Sequence, residues 1–331
     1  MLTLRSRYAL LVVALFPVAG CNSGTSSPSL LSGSQNFSSY VHAGVPFAPA
    51  VRHAAAPHAI HPAYSTLGSL VYESDQSEVR VNIYKTRLLT TNPAPFASIT
   101  VAKGCPYGLV ADTSGTIYVA DNCGGNDVEE YAKGSATLKK SITTGISNPL
   151  GLAMDKSQNL YVSNYPASIT AYKFGSTTPF ETITGGGLTD PFGLAVDSSG
   201  NLYIADFGAR AVFEVKAGTT TVTNLNLTGL AEPLGVAVNL VRNYLWVTDG
   251  QGNKINIYKI GQTTPFKTIN GVSGGFAYAI SLQNVGKPLG EVVSSDTNKA
   301  EFFAYKPGTY TSYATVTNGV KLPTGLLVTH P

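Results

Sequence analysis

Residues Pro191 to Asp206 read PFGLAVDSSGNLYIAD: two short apolar runs, PFGLAV and LYIAD, held apart by the polar text DSSGN. Runs of this length, rich in Val, Leu, Ile and Tyr and bounded by Gly, Ser, Asn and Asp, predict a pair of antiparallel strands joined by a tight turn. The first run opens on Pro-x-Gly and the second closes on Asp. Both marks recur along the chain.

The opening strand returns as CPYGLVAD (Cys105 to Asp112), NPLGLAMD (Asn148 to Asp155), DPFGLAVD (Asp190 to Asp197) and EPLGVAVN (Glu232 to Asn239). Looser copies are GFAYAIS from Gly275 and PTGLLVT from Pro323. Starts at 106, 149, 191, 233, 276 and 323 lie 43, 42, 42, 43 and 47 residues apart, a period that fits four strands per unit. Second strands end at Asp75, Asp121, Asn164, Asp206, Asp249 and Asp296. A third strand carries an aromatic residue in most copies, as in VEEYAKG, ITAYKFG and INIYKIG, and a fourth runs through Thr-rich text such as PFETITG. Alternating polarity predicts half-buried antiparallel strands.

A second strand ending at Asp75 has no Pro-x-Gly opening before it, while the opening strand at Pro323 has nothing after it. The expected solution is an all-β, six-bladed propeller of four-stranded antiparallel blades. Its C-terminal strand, Pro323 to Thr329, completes the blade begun at Ser69 to Asp75, which protects the sheet edges. The pattern resembles that of NHL-repeat propellers, P-x-G-[LV]-A-V-D-x-x-G-x-[LI]-Y-V-A-D, over residues 67 to 331. One blade departs from it: Asp296 lies 20 positions after Phe276 where Asp121 lies 15 after Pro106, and SLQNVGKPLGE lengthens the hairpin. A propeller resemblance implies fold and not activity, because propellers host unrelated functions.

Ahead of the repeats lie two segments of other character. Arg5 and Arg7, the apolar run Tyr8 to Phe16, and Pro17 to Gly20 read as a signal peptide over residues 1–20. Val18-Ala19-Gly20-Cys21 resembles a bacterial lipobox, which implies lipidation of Cys21; by the same resemblance Asn22 leans the sorting toward the outer membrane. Residues 21–66, rich in Ser, Ala and Pro, read as a tether. Its His42, His53, His58 and His61 are read as composition, since no Cys or carboxylate accompanies them. The chain is thus expected to be exported and held at the cell envelope by a lipid. Formal charge is +3, and that includes Arg5 and Arg7, so the mature chain is near neutral and lacks the clustered cations a nucleic-acid binder needs.

In a propeller the loops leading into the inner strand and the turns between second and third strands share one face, termed here the top. The ring Asp75, Asp121, Asn164, Asp206, Asp249 and Asp296 falls there and reads as turn caps, with a cation or sugar site as the alternative. Tyr107, Leu150, Phe192, Leu234, Ala277 and Thr324, between Pro and Gly or at the equivalent place, are expected at the channel mouth, as plug or ligand collar. Cys105 and Cys123 fall on the top of one blade and, in an exported chain, read as a disulfide.

Gluconolactonase-like, amidating-lyase-like and streptogramin-lyase-like propellers hold metals or place a histidine at the channel. No histidine lies between Pro62 and Thr329 here, so a His-based zinc site has no material. No GxSxG elbow, P-loop or Ser/His/Asp set occurs, and Gly124-Gly125 and Gly185 to Gly187 read as turns. The expectation is a non-catalytic binding or scaffold module for a protein, peptide or glycan, without a cofactor. The alternative is a calcium-dependent lactonase- or lyase-like enzyme built on the Asp/Asn ring.

Overall fold

The computed structural model describes residues 70–101, 103–133, 135–239, 243–270 and 314–329, apart from the side chains of 86 and 87, and describes strands between 277 and 313 as backbone. Residues 1–20 and the tether, with Cys21, Asn22 and the four histidines, lie outside the described residues, as do Asp296 and the tip of the SLQNVGKPLGE hairpin. Among the described residues, no helix is long and apolar enough to cross a membrane.

The strands group into four-stranded antiparallel sheets. Blade one contains β1 (Leu70–Asp75), β2 (Arg80–Lys85) and β3 (Ala97–Thr100). Blade two is β4 (Cys105–Ala111), β5 (Ile117–Asn122), β6 (Asp127–Tyr131) and β7 (Leu138–Ile142). Blade three is β8 (Pro149–Met154), β9 (Leu160–Asn164), β10 (Ser168–Tyr172) and β11 (Pro179–Thr184). Blade four is β12 (Pro191–Val196), β13 (Leu202–Asp206), β14 (Ala211–Val215) and β15 (Val222–Asn224). Blade five is β16 (Pro233–Asn239), β17 (Tyr244–Asp249), β18 (Lys254–Lys259) and β19 (Lys267–Asn270). A further sheet, described by its backbone pairing, joins β20 (Ala277–Leu282), β21 (Leu289–Ser294), β22 (Lys299–Lys306) and β23 (Thr309–Val316). The last strand, β24 (Pro323–Thr329), returns to blade one and pairs antiparallel with β1, Leu326 opposite Glu73. The order there is β24-β1-β2-β3, so the tail supplies the inner strand that the first blade lacks.

The Pro-x-Gly opening has a physical reading. In blades two to five the pairing of first and second strands shifts register just after the Pro, as between Pro106 and Leu109 or Pro191 and Leu194. A residue without an N–H suits the start of an inner, edge strand, and the bulge that follows turns the backbone toward the hub. The Gly then permits close approach: a Cβ on Gly151 would sit 2.1 Å from the Phe192 carbonyl oxygen of the next blade, and one on Gly325 would sit 2.0 Å from that of Tyr107. Inner strands accordingly touch in the cycle β24, β4, β8, β12, β16, β20 and back to β24.

The core lies between blades. Leu70, Tyr72, Val81, Ile83 and Ile99 of blade one pack on Leu109, Ile117, Val119 and Tyr131 of blade two, and similar clusters join blades three to four and four to five. Half-buried strands, the expectation from alternation, therefore hold only at the periphery. The second strands are buried along nearly their whole length, as in LYIAD, while β11 alternates between half-buried and exposed positions before its one buried residue, Ile183. A central blade strand has a neighbouring sheet over each face, whereas the outermost strand reaches past them.

Candidate functional site: the top face

The second-to-third-strand turns and the loops leading into the inner strands meet on one face through backbone hydrogen bonds. Gln76 donates to the Leu322 carbonyl, Phe207 to Asp190 and Gly250 to Glu232, at 2.8 to 3.0 Å. The Asp/Asn ring secures this junction. Asp206 accepts from the Thr189 and Asp190 amides of the lead-in loop at 2.8 and 3.0 Å, from the Thr189 hydroxyl at 2.9 Å, and from the Ala209 amide of its own turn at 2.8 Å. Asp75 accepts from the amides of Glu78, Lys321 and Leu322, and Asp249 from those of Ala231, Glu232 and Gly252. Asn164 accepts from the Ser147 amide at 3.0 Å. Asp75, Asp206 and Asp249 thus each clamp two loops, and Asn164 holds the lead-in loop, the local chemistry that favours Asp and Asn after a strand.

These bonds engage Asp75, Asp206 and Asp249 with backbone amides. Among the described residues Asp75, Asp206 and Asp249 join no group of carboxylates and accept from backbone amides of their own blades, while Asp121 accepts from the Gly104 amide. Ring closure keeps the ends of successive second strands apart, so a residue repeated once per blade meets its own loop and not its counterparts.

The described residues of the mouth are buried. Tyr107, Leu150, Phe192, Leu234 and Thr324 are all buried, and the rings of Tyr107 and Phe192, from blades two and four, meet edge to face with centroids 6.1 Å apart. The Tyr107 hydroxyl donates to the Gln76 side-chain oxygen, and burial pushes its phenol up to about 12. The five described positions are thus enclosed by packing and are not exposed to solvent as a collar would be. The Ala277 side chain lies outside the described residues.

Cys105 and Cys123 form the expected disulfide, with Cα atoms 5.5 Å apart. Gly124 and Gly185 to Gly187 take left-handed backbone, as turn residues do.

Two further sets of residues escaped sequence reasoning. Hydroxyls just before the ring position stitch neighbouring inner strands: Ser74 donates to the Tyr107 carbonyl at 2.6 Å, and Ser163 to the Phe192 carbonyl at 2.7 Å, while Thr324 of β24 reaches the Pro106 carbonyl at 2.6 Å. The Ser before Asp or Asn in YESD and YVSN was the available signal. The second set is acidic and belongs to blade two. Asp121, Asp127 and Glu129 are fully buried, and one carboxylate oxygen of each lies within 4.8 Å of the others. Lys103 is paired with Asp127 at 2.6 Å, the Gly104 amide donates to Asp121 at 3.1 Å, and the Tyr131 hydroxyl donates to Glu129. Burial, reinforced by Glu129 and Asp127, pushes the Asp121 carboxyl up to about 8.

No family model and no curated protein matches the chain. Among solved structures, a chain in the crystal structure of a nidogen/laminin complex is similar, with a TM-score of 0.67 and 16% identity over 79% of this chain and 98% of that one. At that identity the likeness is one of fold: an all-β propeller of four-stranded antiparallel blades.

Proposed function

We propose that the chain is an exported envelope lipoprotein, anchored through Cys21 and sorted toward the outer membrane, whose six-bladed, NHL-like propeller is a non-catalytic platform for a protein, peptide or glycan. The observation that carries this reading is the division of labour on the top face. The ring carboxylates and amides hold loops, the described mouth residues are buried, and around them stands a rim of exposed turn residues, Ser77, Asn126, Pro166, Arg210 and Gln251. A rigid, loop-bearing surface of this kind suits recognition, since loops held by a scaffold lose little entropy on binding. The similar chain from the nidogen/laminin complex belongs to a protein–protein assembly, which agrees with a binding role for such a scaffold.

Photo-crosslinkers at Ser77, Asn126 and Arg210 on the top, and at Ser114, Ser157 and Ser199 on the opposite turns, test the surface in intact cells. Top positions are expected to give discrete crosslinked species that the opposite positions lack. The same species from both faces, or none from the top, would remove the proposal. For the anchor, Cys21→Ser is expected to abolish incorporation of labelled palmitate and to release the protein from the membrane fraction.

A further inference from the structure

The repeat supplies its own control for the acidic cluster in blade two. In blades one, three, four and five the ring residue faces, across the ladder, the first residue of the third strand: Asp75 faces Arg80, Asn164 faces Ser168, Asp206 faces Ala211 and Asp249 faces Lys254. The ring acids of blades one and five thus have a cation directly opposite, and in blade five Lys254 lies 3.5 Å from Asp249. In blade two Asp121 faces Asp127, a carboxylate against a carboxylate. Two residues on, where blades one and five carry Asn82 and Asn256, blade two carries Glu129.

Like charges this close repel strongly away from water, and buried carboxylates require a partner. Lys103 is the one cation in an ion pair with this group among the described residues, and its side chain is 48% exposed. Asp121 Oδ1 and Asp127 Oδ1 are buried and receive no hydrogen bond, although both residues are fully enclosed. One oxygen of each lies within 4.8 Å of the others, close enough for all three to reach a common calcium ion at about 2.4 Å. Hard oxygen donors with several negative charges are the donor set calcium selects over softer metals.

We infer that Asp121, Asp127 and Glu129 form a calcium-type cation site inside blade two, beside the Cys105–Cys123 disulfide and separate from the hub. The ion takes the place that Lys254 holds beside Asp249 in blade five. Lys103, half exposed, moves off Asp127 when the ion enters. The site is structural: it locks the second-to-third-strand turn of one blade and takes no part in a reaction.

The test uses the full-length protein stripped with chelator. Equilibrium dialysis with labelled calcium is expected to give one ion per chain, and ~1 mM calcium to raise Tm by about 3 °C for a site of modest affinity. Asp127→Asn and Glu129→Gln are each expected to weaken calcium binding at least ~10-fold by the loss of one charged ligand. Circular dichroism reports whether each variant folds, and Asp249→Asn, at the corresponding acid of blade five, is expected to keep its calcium response. Absence of stoichiometric binding, an equal shift with magnesium, or an undiminished response in Asp127→Asn or Glu129→Gln would overturn the inference.

Discussion

Blades two and five start from the same text and end in opposite electrostatics. Both begin with a Pro-x-Gly inner strand, both carry a fully buried Asp at or next to the end of the second strand, and both place that Asp directly across from the first residue of the third strand. In blade five the opposite residue is Lys254; Asn256 beyond it donates to the Gly229 carbonyl, and Tyr258 donates to that of Thr228. In blade two the corresponding places hold Asp127, Glu129 and Tyr131, and the tyrosine turns to Glu129. The difference teaches that Asp or Asn recurs at the ring position because its work is local, holding loop backbone, while the residue opposite it is free to vary. In blade two three buried carboxylates have gathered at that place, with Lys103 paired to Asp127.

The largest effect is expected from removing the ring acid where it only clamps loops. Asp206→Ala leaves the Thr189, Asp190 and Ala209 amides without their acceptor and is expected to cost about 3 kcal/mol in urea unfolding. Asp121→Ala in chelator is expected to cost about 1 kcal/mol or less, because the lost bond to Gly104 is offset by relief of repulsion. Equal losses would break the comparison. Next, replacing Cys105 and Cys123 together by Ser is expected to lower stability by about 3 kcal/mol, the loop-closure value for a bridge of this span. Adding calcium should then recover part of that loss, and a variant indifferent to calcium would uncouple the bridge from the acidic group.

A smaller effect, about 1 kcal/mol of stabilisation in chelator, is expected from Asp127→Lys, which copies the Asp249–Lys254 arrangement into blade two. Its calcium response should vanish; a retained response would place the ion elsewhere. The smallest effect is a change of slope. Burial, with Asp75 beside it, holds the Glu73 carboxyl well above its ordinary value, so the folded state keeps a proton that the unfolded chain releases. The stability this contributes is complete below the ordinary carboxyl range and declines as pH rises toward the raised folded value. Thermal melts from pH 5 to 8 are expected to fall less steeply for Glu73→Gln than for the parent, and parallel slopes would show that Glu73 ionises freely in blade one.

Several features were legible because they rest on chemistry within a few residues. Asp and Asn at the strand ends read as caps, and Asp206 and Asp249 are caps. Pro323 to Thr329 read as the missing inner strand, and it pairs with β1. Cys105 and Cys123, placed on one face by strand direction alone, are joined. The acidic group was not legible: in NDVEEY the carboxylates of Asp127 and Glu129 look like a solvated strand face, and only the register that sets Asp127 across from Asp121 makes them neighbours. Nor was the burial of the mouth residues, since Tyr107 and Phe192 lie 85 positions apart in the chain and meet across the hub.

By itself the sequence determined the strands, their turns and the clamps at their ends, because pleat, turn and cap energies depend on nearest neighbours along the chain and recur with the repeat. Only the tertiary structure decided which side chains lose water. Burial comes from the blade stacked on each face and from the approach of inner strands at the centre, and these distances between remote segments bury Leu150 and Phe192 and turn three acids into one charged group.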